Sequence, residues 1–355
     1  MSDHDVIIVG SGPAGSACAK ALLDEGIDAF VLEKDKLPRY KCCSGVLFGQ
    51  TQELLRQYFG VEAPPEVYCA NDKFIRAADI REWKRGIGYI PYCWEIPKDG
   101  RSFSTDFGNI WRNLFDKWLL DISGAEYLEG ARVNGFEVRE DHIEVRVVDT
   151  DGDDTTSYRC QYLVGADGGN SIVRRGLKVA SDRRLPSIAS VGILQSYFKL
   201  KSLGRLRQGA WTVFFEPDIG EMLSCVHQKD DYLLLCVGGI KGRKLRDSVA
   251  KFRKMLADDF DVELGEWWRD EACQMALAPP YLGTARILLT GEAAGFIYLN
   301  GEGISAAIDS GYRSGRAIGR ALREGGDAVK MYEESSVDII EHMKKCHAQI
   351  HFLSV

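Results

Sequence analysis

Asp5-Val6-Ile7-Ile8-Val9-Gly10-Ser11-Gly12-Pro13-Ala14-Gly15 stands near the start of the sequence, and Ala29-Phe30-Val31-Leu32-Glu33 follows it. The first run, Asp5 to Gly10, is β-branched and apolar over Val6 to Val9, the pattern of a parallel strand buried on both faces. Gly10 permits a tight turn, Gly12 lets backbone approach a pyrophosphate, and Gly15 lets the following helix pack on the strand. The helix predicted from Pro13 to Glu25 points its N-terminal N–H groups and positive dipole end at that phosphate position. Glu33 then ends a second strand, where a carboxylate accepts hydrogen bonds from ribose hydroxyls. Together these make a complete β-α-β unit with a dinucleotide fingerprint.

Two later stretches repeat the logic. Tyr162-Leu163-Val164-Gly165-Ala166-Asp167-Gly168-Gly169-Asn170-Ser171 delivers an acid at the end of a short strand, with Arg174 and Arg175 beyond it. Leu288-Leu289-Thr290-Gly291-Glu292-Ala293-Ala294-Gly295 does so again, ahead of Asn300-Gly301-Glu302-Gly303-Ile304. Open α/β sheets bind ligands at the C-terminal ends of their strands. Three such turns in this order are hard to explain as scaffold.

The rest of the pattern divides the 355 residues. Segments 1–70, 101–180 and 281–325 read as a discontinuous dinucleotide-binding domain of the doubly wound α/β class. Segments 71–100 and 181–280 read as an antiparallel-sheet lobe, with strands over 187–200, 211–215, 222–228 and 232–237 and a late helix over 245–260. Residues 326–355 read as one amphipathic C-terminal helix.

Composition narrows the function. A net charge of −7 and a pI of about 5.5 argue against nucleic acid as a partner. The ten cysteines contain no C-x-x-C pair, and the six histidines offer no metal-ligand spacing beyond His347 and His351, which suit a solvated helix face. Free thiols and acidic residues ahead of the first apolar run fit a cytoplasmic protein; peripheral contact with a membrane stays open.

The sequence resembles the FAD-dependent group that includes aromatic hydroxylases and, more closely, geranylgeranyl reductases, the bacterial CbrA type among them. The likeness runs over nearly the whole chain. It rests on the three glycine turns, on Arg112 with Phe115 and Asp116, and on Lys41-Cys42-Cys43-Ser44-Gly45-Val46-Leu47, where prenyl reductases read K-x-C-G-G-x-L. The resemblance implies a glutathione-reductase-like, hydroxylase-type FAD fold, with the substrate lobe covering the flavin. It implies that Gly10, Gly12, Pro13, Ala14, Gly15, Glu33, Lys34, Arg112, Asp167, Gly291, Glu292, Gly301, Gly303 and Ile304 line the FAD. Cys43 falls beside flavin and substrate, as a reactive thiol or as a small apolar residue. Trp94, Trp211, Phe214 and Phe215 are expected to bound a long, mostly apolar cavity. The implied activity is reduction of a C=C bond in a prenyl-like or quinone-like substrate. A flavin monooxygenase acting on an aromatic compound and a flavin electron carrier are the alternatives. The reductant is open between NADPH and another donor.

Overall fold

The computed structural model describes residues 3–70, 74–75, 77–84, 88–95, 107–152, 154–180, 189–221, 224–240, 242–298 and 302–350. The chain begins β1 (Asp3–Val9), α1 (Pro13–Leu23), β2 (Ala29–Leu32), β3 (Val46–Leu47) and α2 (Gly49–Phe59). Next come β4 (Phe74–Ile75), β5 (Ala77–Lys84), β6 (Gly88–Glu95), β7 (Phe107–Asn109) and α3 (Arg112–Ser123). β8 (Glu126–Leu128), β9 (Ala131–Val138), β10 (Ile143–Asp149), β11 (Thr155–Gly165) and α4 (Ile172–Ala180) return to the first half. β12 (Ala189–Ser202), β13 (Ala210–Phe215), β14 (Ser224–Lys229), β15 (Tyr232–Gly239), α5 (Leu245–Phe260) and β16 (Glu263–Leu277) build the second. The last elements are β17 (Gly283–Thr284), β18 (Ile287–Leu289), α6 (Ile304–Glu324), α7 (Ala328–Ser335) and α8 (Val337–Ile350).

An eight-stranded sheet runs in the order β17-β18-β11-β1-β2-β8, with the β9–β10 hairpin continuing from β11. β1 is parallel to β2 and β11, and β11 to β18. The register sets Leu32, Val9, Gly165 and Leu289 in one row. The chain therefore leaves four neighbouring strands at the same edge, and all three glycine turns open there. β11 is longer than the expected strand because its first half, Thr155 to Cys160, serves the antiparallel hairpin before the second half turns parallel to β1.

α1 and α6 lie unusually close on this sheet. A Cβ on Gly311 would stand 2.2 Å from the carbonyl oxygen of Ala14, and one on Gly315 2.5 Å from that of Cys18. Each helical glycine costs about 1 kcal/mol against alanine, so the close contact is what keeps them. The C-terminal region is two helices rather than the one expected. Ser335 Oγ–H donates to the Tyr332 carbonyl, and the chain turns at Ser336 before α8 begins. Tyr332, Ile339 and Met343 are buried in the same core as the sheet.

A seven-stranded sheet runs β16-β12-β15-β14-β13-β5-β6, antiparallel except for the parallel pair β13–β5. α5 covers one face, packing Phe252, Leu256 and Phe260 on Leu194, Phe214, Val226, Leu233 and Leu235. Strand alternation puts Ile193, Gln195 and Tyr197 on the opposite face, with Arg269, Glu271 and Cys273 opposite them on β16. Cys225, His227 and Lys229 share that face on β14, by the same alternation across β15. A three-stranded sheet, β3-β7-β4, completes the fold.

Candidate functional site

The glycine turn has the shape that a diphosphate requires. Gly10 has φ +103°, and a Cβ there would stand 2.6 Å from the Ala166 carbonyl oxygen. At Gly15 a Cβ would fall 1.9 Å from the Gly10 carbonyl oxygen. Gly12 differs, because a Cβ there meets only Arg39 Nη2, at 3.9 Å. The protein itself does not require glycine at position 12, but a group approaching the backbone does. Pro13 and Ala14 open α1 directly over this space.

Glu33 is buried at the edge of β2. It accepts from Ser11 N–H at 3.1 Å, Ser11 Oγ–H at 2.5 Å and Asp35 N–H at 3.0 Å, and pairs with Arg39 at 3.3 Å. Burial opposes its ionisation, but the Arg39 charge and these donors outweigh it and hold the carboxyl below its ordinary range. Oε2 takes both Ser11 donors and Arg39, while Oε1, which takes the Asp35 N–H, keeps a lone pair for a ribose hydroxyl. Lys34 is exposed; the cation that meets Glu33 is Arg39.

From Arg39 the polar contacts continue. Arg39 Nη1 reaches Asp116 at 3.3 Å, and Asp116 holds Arg112 in a two-point pair at 2.7 and 2.8 Å. Arg112 borders the same cavity as Cys43. Burial disfavours the Asp116 carboxylate, but Arg112 and Arg39 outweigh that and hold it ionised below its ordinary range. One network thus joins the ribose acid to the cavity that Cys43 borders.

That loop is fixed from the second sheet as well. Lys229 Nζ donates to the carbonyl oxygens of Ser44 at 2.9 Å and Ile110 at 2.6 Å, and to Asn109 Oδ1 at 3.3 Å. His227 Nε2–H donates to the Ser44 carbonyl at 3.1 Å, which fixes the ring proton on Nε2. Burial, then the Lys229 charge, pushes the His227 pKa down to about 3. Gly45 is needed beneath this clamp, because a Cβ would lie 2.3 Å from the Ile110 carbonyl oxygen.

The other two turns meet across the sheet edge. Asp167 Oδ2 accepts Ile172 N–H at 2.6 Å and caps α4, while its buried Oδ1 has no partner within the protein. Burial raises its pKa despite the hydrogen bonds it accepts. A Cβ on Gly168 would come within 3.8 Å of Glu292 Oε2, so the second and third motifs share one crevice. Arg174 ties them further, donating to the Ala293 carbonyl at 2.9 Å. Gly291 turns at φ +58° against Ala14, and Gly303 caps α6, whose first residue is the buried Ile304. Gly301 lies outside the described residues. The open space at Gly12, the unpartnered Asp167 Oδ1 and the Glu33 carboxylate fit a flavin dinucleotide.

The substrate residues separate. Trp211 and Phe215 lie half-buried with Ile193, Cys225 and Cys236 on the face away from α5. Phe214 does not join them. Strand alternation turns it to the other face, fully buried between Phe252 and Phe260, so it bounds no cavity with Cys43. Trp94 is on β6, and its side chain lies outside the described residues. The cavity that Cys43 bounds is small and cation-rich, lined by Lys41, Arg112, Lys229 and Arg269 with Glu271, Tyr40, Trp111 and Tyr197. Arg269 stacks on Tyr40 at 3.5 Å and on Trp268 at 4.1 Å, and pairs with Glu271 at 2.7 Å. Arg39, His227, Lys229 and Arg269 are the site residues that sequence reasoning missed. The alternation of Cys225, His227 and Lys229 was the available signal.

Glycine turns gathered on one edge of a doubly wound sheet, with a second sheet facing them, define the fold of FAD-dependent oxidoreductases and hydroxylases. Residues 3–328 match the FAD binding domain family, and the chain belongs to it. Protein CbrA of Escherichia coli K12 is 27% identical over 334 residues, covering 87% of this chain and 82% of its own. Among solved structures, a geranylgeranyl bacteriochlorophyll reductase-like protein from Thermoplasma acidophilum has a TM-score of 0.79 at 18% identity. That match covers 98% of this chain and 86% of the other. Aklavinone-11 hydroxylase, solved with FAD and aklavinone, has a TM-score of 0.72 at 21% identity over 98% of this chain and 69% of its own. Both structures share the fold. Among the described residues no helix is long and apolar enough to cross a membrane.

Proposed function

We propose that this protein is an FAD-dependent reductase that adds hydrogen across a C=C bond of a prenyl-like or quinone-like substrate. The observation that carries the reading is the placing of Cys43. The K-x-C-x-G-x-L loop borders one cavity with Arg112 and is tied to His227 and Lys229 on the lobe side. Segments 1–70, 101–180 and 281–325 serve the cofactor in this reading, and 71–100 and 181–280 the substrate.

Glu33 and Asp167 would accept ribose or ribityl hydroxyls, and the backbone at Gly12 to Ala14 would receive the diphosphate. Bound FAD supplies hydride chemistry. The protein's part is to orient the substrate, exclude water and deliver the balancing proton, for which Cys43 Sγ–H is the candidate donor. Trp211 and Phe215 would take the apolar chain, and a peripheral approach to a membrane suits such a substrate.

The cation-rich lining of the Cys43 cavity favours a second reading, hydroxylation of an aromatic anion. Titration with a prenyl diphosphate, a menaquinone analogue and a small phenolic acid, followed by flavin absorbance, separates the two. The reductase reading expects binding of the isoprenoid compounds and slow reaction of the reduced flavin with oxygen. Binding of the phenolic acid alone, with accelerated NADPH oxidation, overturns it.

A further inference from the structure

Arg269 stands on β16 opposite Tyr197 of β12, on the sheet face away from α5. Its Nη2 pairs with Glu271 at 2.7 Å, while Nε and Nη1 are buried with no hydrogen-bond partner within the protein. What surrounds the guanidinium is aromatic: Tyr40 at 3.5 Å, Trp268 at 4.1 Å, Tyr197 at 4.9 Å and Trp111 at 5.6 Å. Rings attract its charge but offer its in-plane N–H groups no acceptor lone pair. A charged donor buried without an acceptor is costly and calls for an explanation. Lys229 lies near the same Trp111 ring, its Nζ 4.9 Å from the centroid, and among the described residues it donates to uncharged oxygens of Ser44, Asn109 and Ile110. The cavity lining sets Lys41, Arg112, Lys229 and Arg269 against Glu271, and Asp116 pairs with Arg112. The local excess is positive in a chain whose net charge is −7.

The sheet face is graded in the same sense. Trp211, Phe215, Ile193, Cys225 and Cys236 make its apolar part. Tyr197, Lys229 and Arg269 make its cationic part, with Tyr197 four residues, roughly 13 Å, beyond Ile193 along β12. Tyr40 is 57% exposed and Trp268 37%, whereas Tyr197 is buried, so the first two wall the cationic end from solvent and the third is its floor. The cavity is small, which suits the end group of a ligand rather than its body. We propose that this end of the lobe face is a head-group site, in which Arg269, backed by Lys229, receives an oxyanion, a carboxylate or a phosphate, at the end of an otherwise apolar substrate. The inference rests on the proposed function for the place of the apolar part, and it serves reduction and hydroxylation alike.

The test titrates FAD-loaded protein with two matched pairs, geranylgeranyl diphosphate against geranylgeraniol and para-hydroxybenzoate against its methyl ester. Tryptophan fluorescence is the readout, because Trp111 and Trp268 stand against Arg269. In at least one pair the charged member should bind ~10-fold or more tightly than its neutral partner, the weight of one charge-assisted hydrogen bond. The pair that shows the preference tells phosphate from carboxylate. Arg269→Gln should erase the preference and Arg269→Lys should keep part of it. Glu271→Gln, which frees Nη2 and removes a like charge, should widen it. Arg205→Gln, at a side chain 63% exposed, should match wild type. Retained FAD shows that each variant is folded. Equal affinities within both pairs in the wild type, with neither pair binding counted among them, overturn the proposal, as does a preference that survives Arg269→Gln. A preference seen with para-hydroxybenzoate alone upholds the head-group site while overturning the reductase reading.

Discussion

Replacing His227 with glutamine should remove a defined part of the protein's acid sensitivity. The folded protein keeps His227 neutral down to pH about 3, because burial and the neighbouring Lys229 oppose its charge. The unfolded chain takes up the proton near pH 6.5. Between those values the unfolded state binds more protons than the folded state, so stability falls as pH drops from 6.5 towards 3. One pH unit in this window corresponds to about 1.4 kcal/mol, and at pH 5 the loss reaches about 2 kcal/mol. For a chain of this size that is a fall in Tm of roughly 3 °C. Glutamine keeps an N–H for the Ser44 carbonyl and carries no titrating group. The assay is thermal or urea unfolding of both proteins from pH 7.5 to pH 4.5, read as a difference curve so that shared carboxylate titrations cancel. The variant should gain on the wild type steadily below pH 6.5. Parallel curves down to pH 4.5 would refute the reasoning, since a solvated His227 charges alike in both states.

Gly12→Ala should leave the apoprotein's Tm unchanged while weakening FAD binding at least ~10-fold, because the added methyl occupies only the space meant for phosphate; unchanged affinity by fluorescence titration contradicts the assignment. Gly15→Ala should abolish FAD retention and lower apoprotein stability, since its Cβ collides with the Gly10 carbonyl. Asp116→Ala removes the counter-charge of two buried arginines and should cost about 3–5 kcal/mol in urea unfolding, whereas Asp121→Ala, at an exposed Lys117 pair, should leave the midpoint near wild type. Asp167→Ala should weaken FAD retention measurably more than Asp141→Ala, because Asp167 caps α4 at the sheet edge and Asp141 stands in an exposed turn; equal dissociation constants would speak against the crevice.

The cofactor half was legible because its constraints are local. A buried strand, a turn that excludes side chains and an acid at the next strand end are adjacent in sequence, and the three-fold recurrence of strand, acid and glycine fixes their common edge. The lobe was less legible because its faces depend on partners distant in sequence. Nothing near Phe214 tells which parity of β13 meets α5, so a residue from the wrong face was grouped with Trp211 and Phe215. His227 and Lys229 read as isolated polar residues until Ser44 and Ile110 are brought to them. Arg39 lies in a loop without periodicity, and only the meeting of Glu33 with Asp116 gives it a role. The break at Ser336 is not legible because Val337 resumes an amphipathic pattern after a single residue.

The segment from Arg39 to Gly45 is gripped from two directions, by Glu33 and Asp116 at one end and by His227 and Lys229 at the other. It is therefore a mechanical link between a cofactor and whatever occupies the cavity at Tyr40 and Arg269. Free energies of binding at two such places are reciprocal. If a ligand in the cavity tightens or loosens that grip and changes FAD affinity by some factor, FAD must change that ligand's affinity by the same factor. Screens for the natural ligand then have a second channel, since a true occupant announces itself as a shift in flavin dissociation even when no turnover occurs.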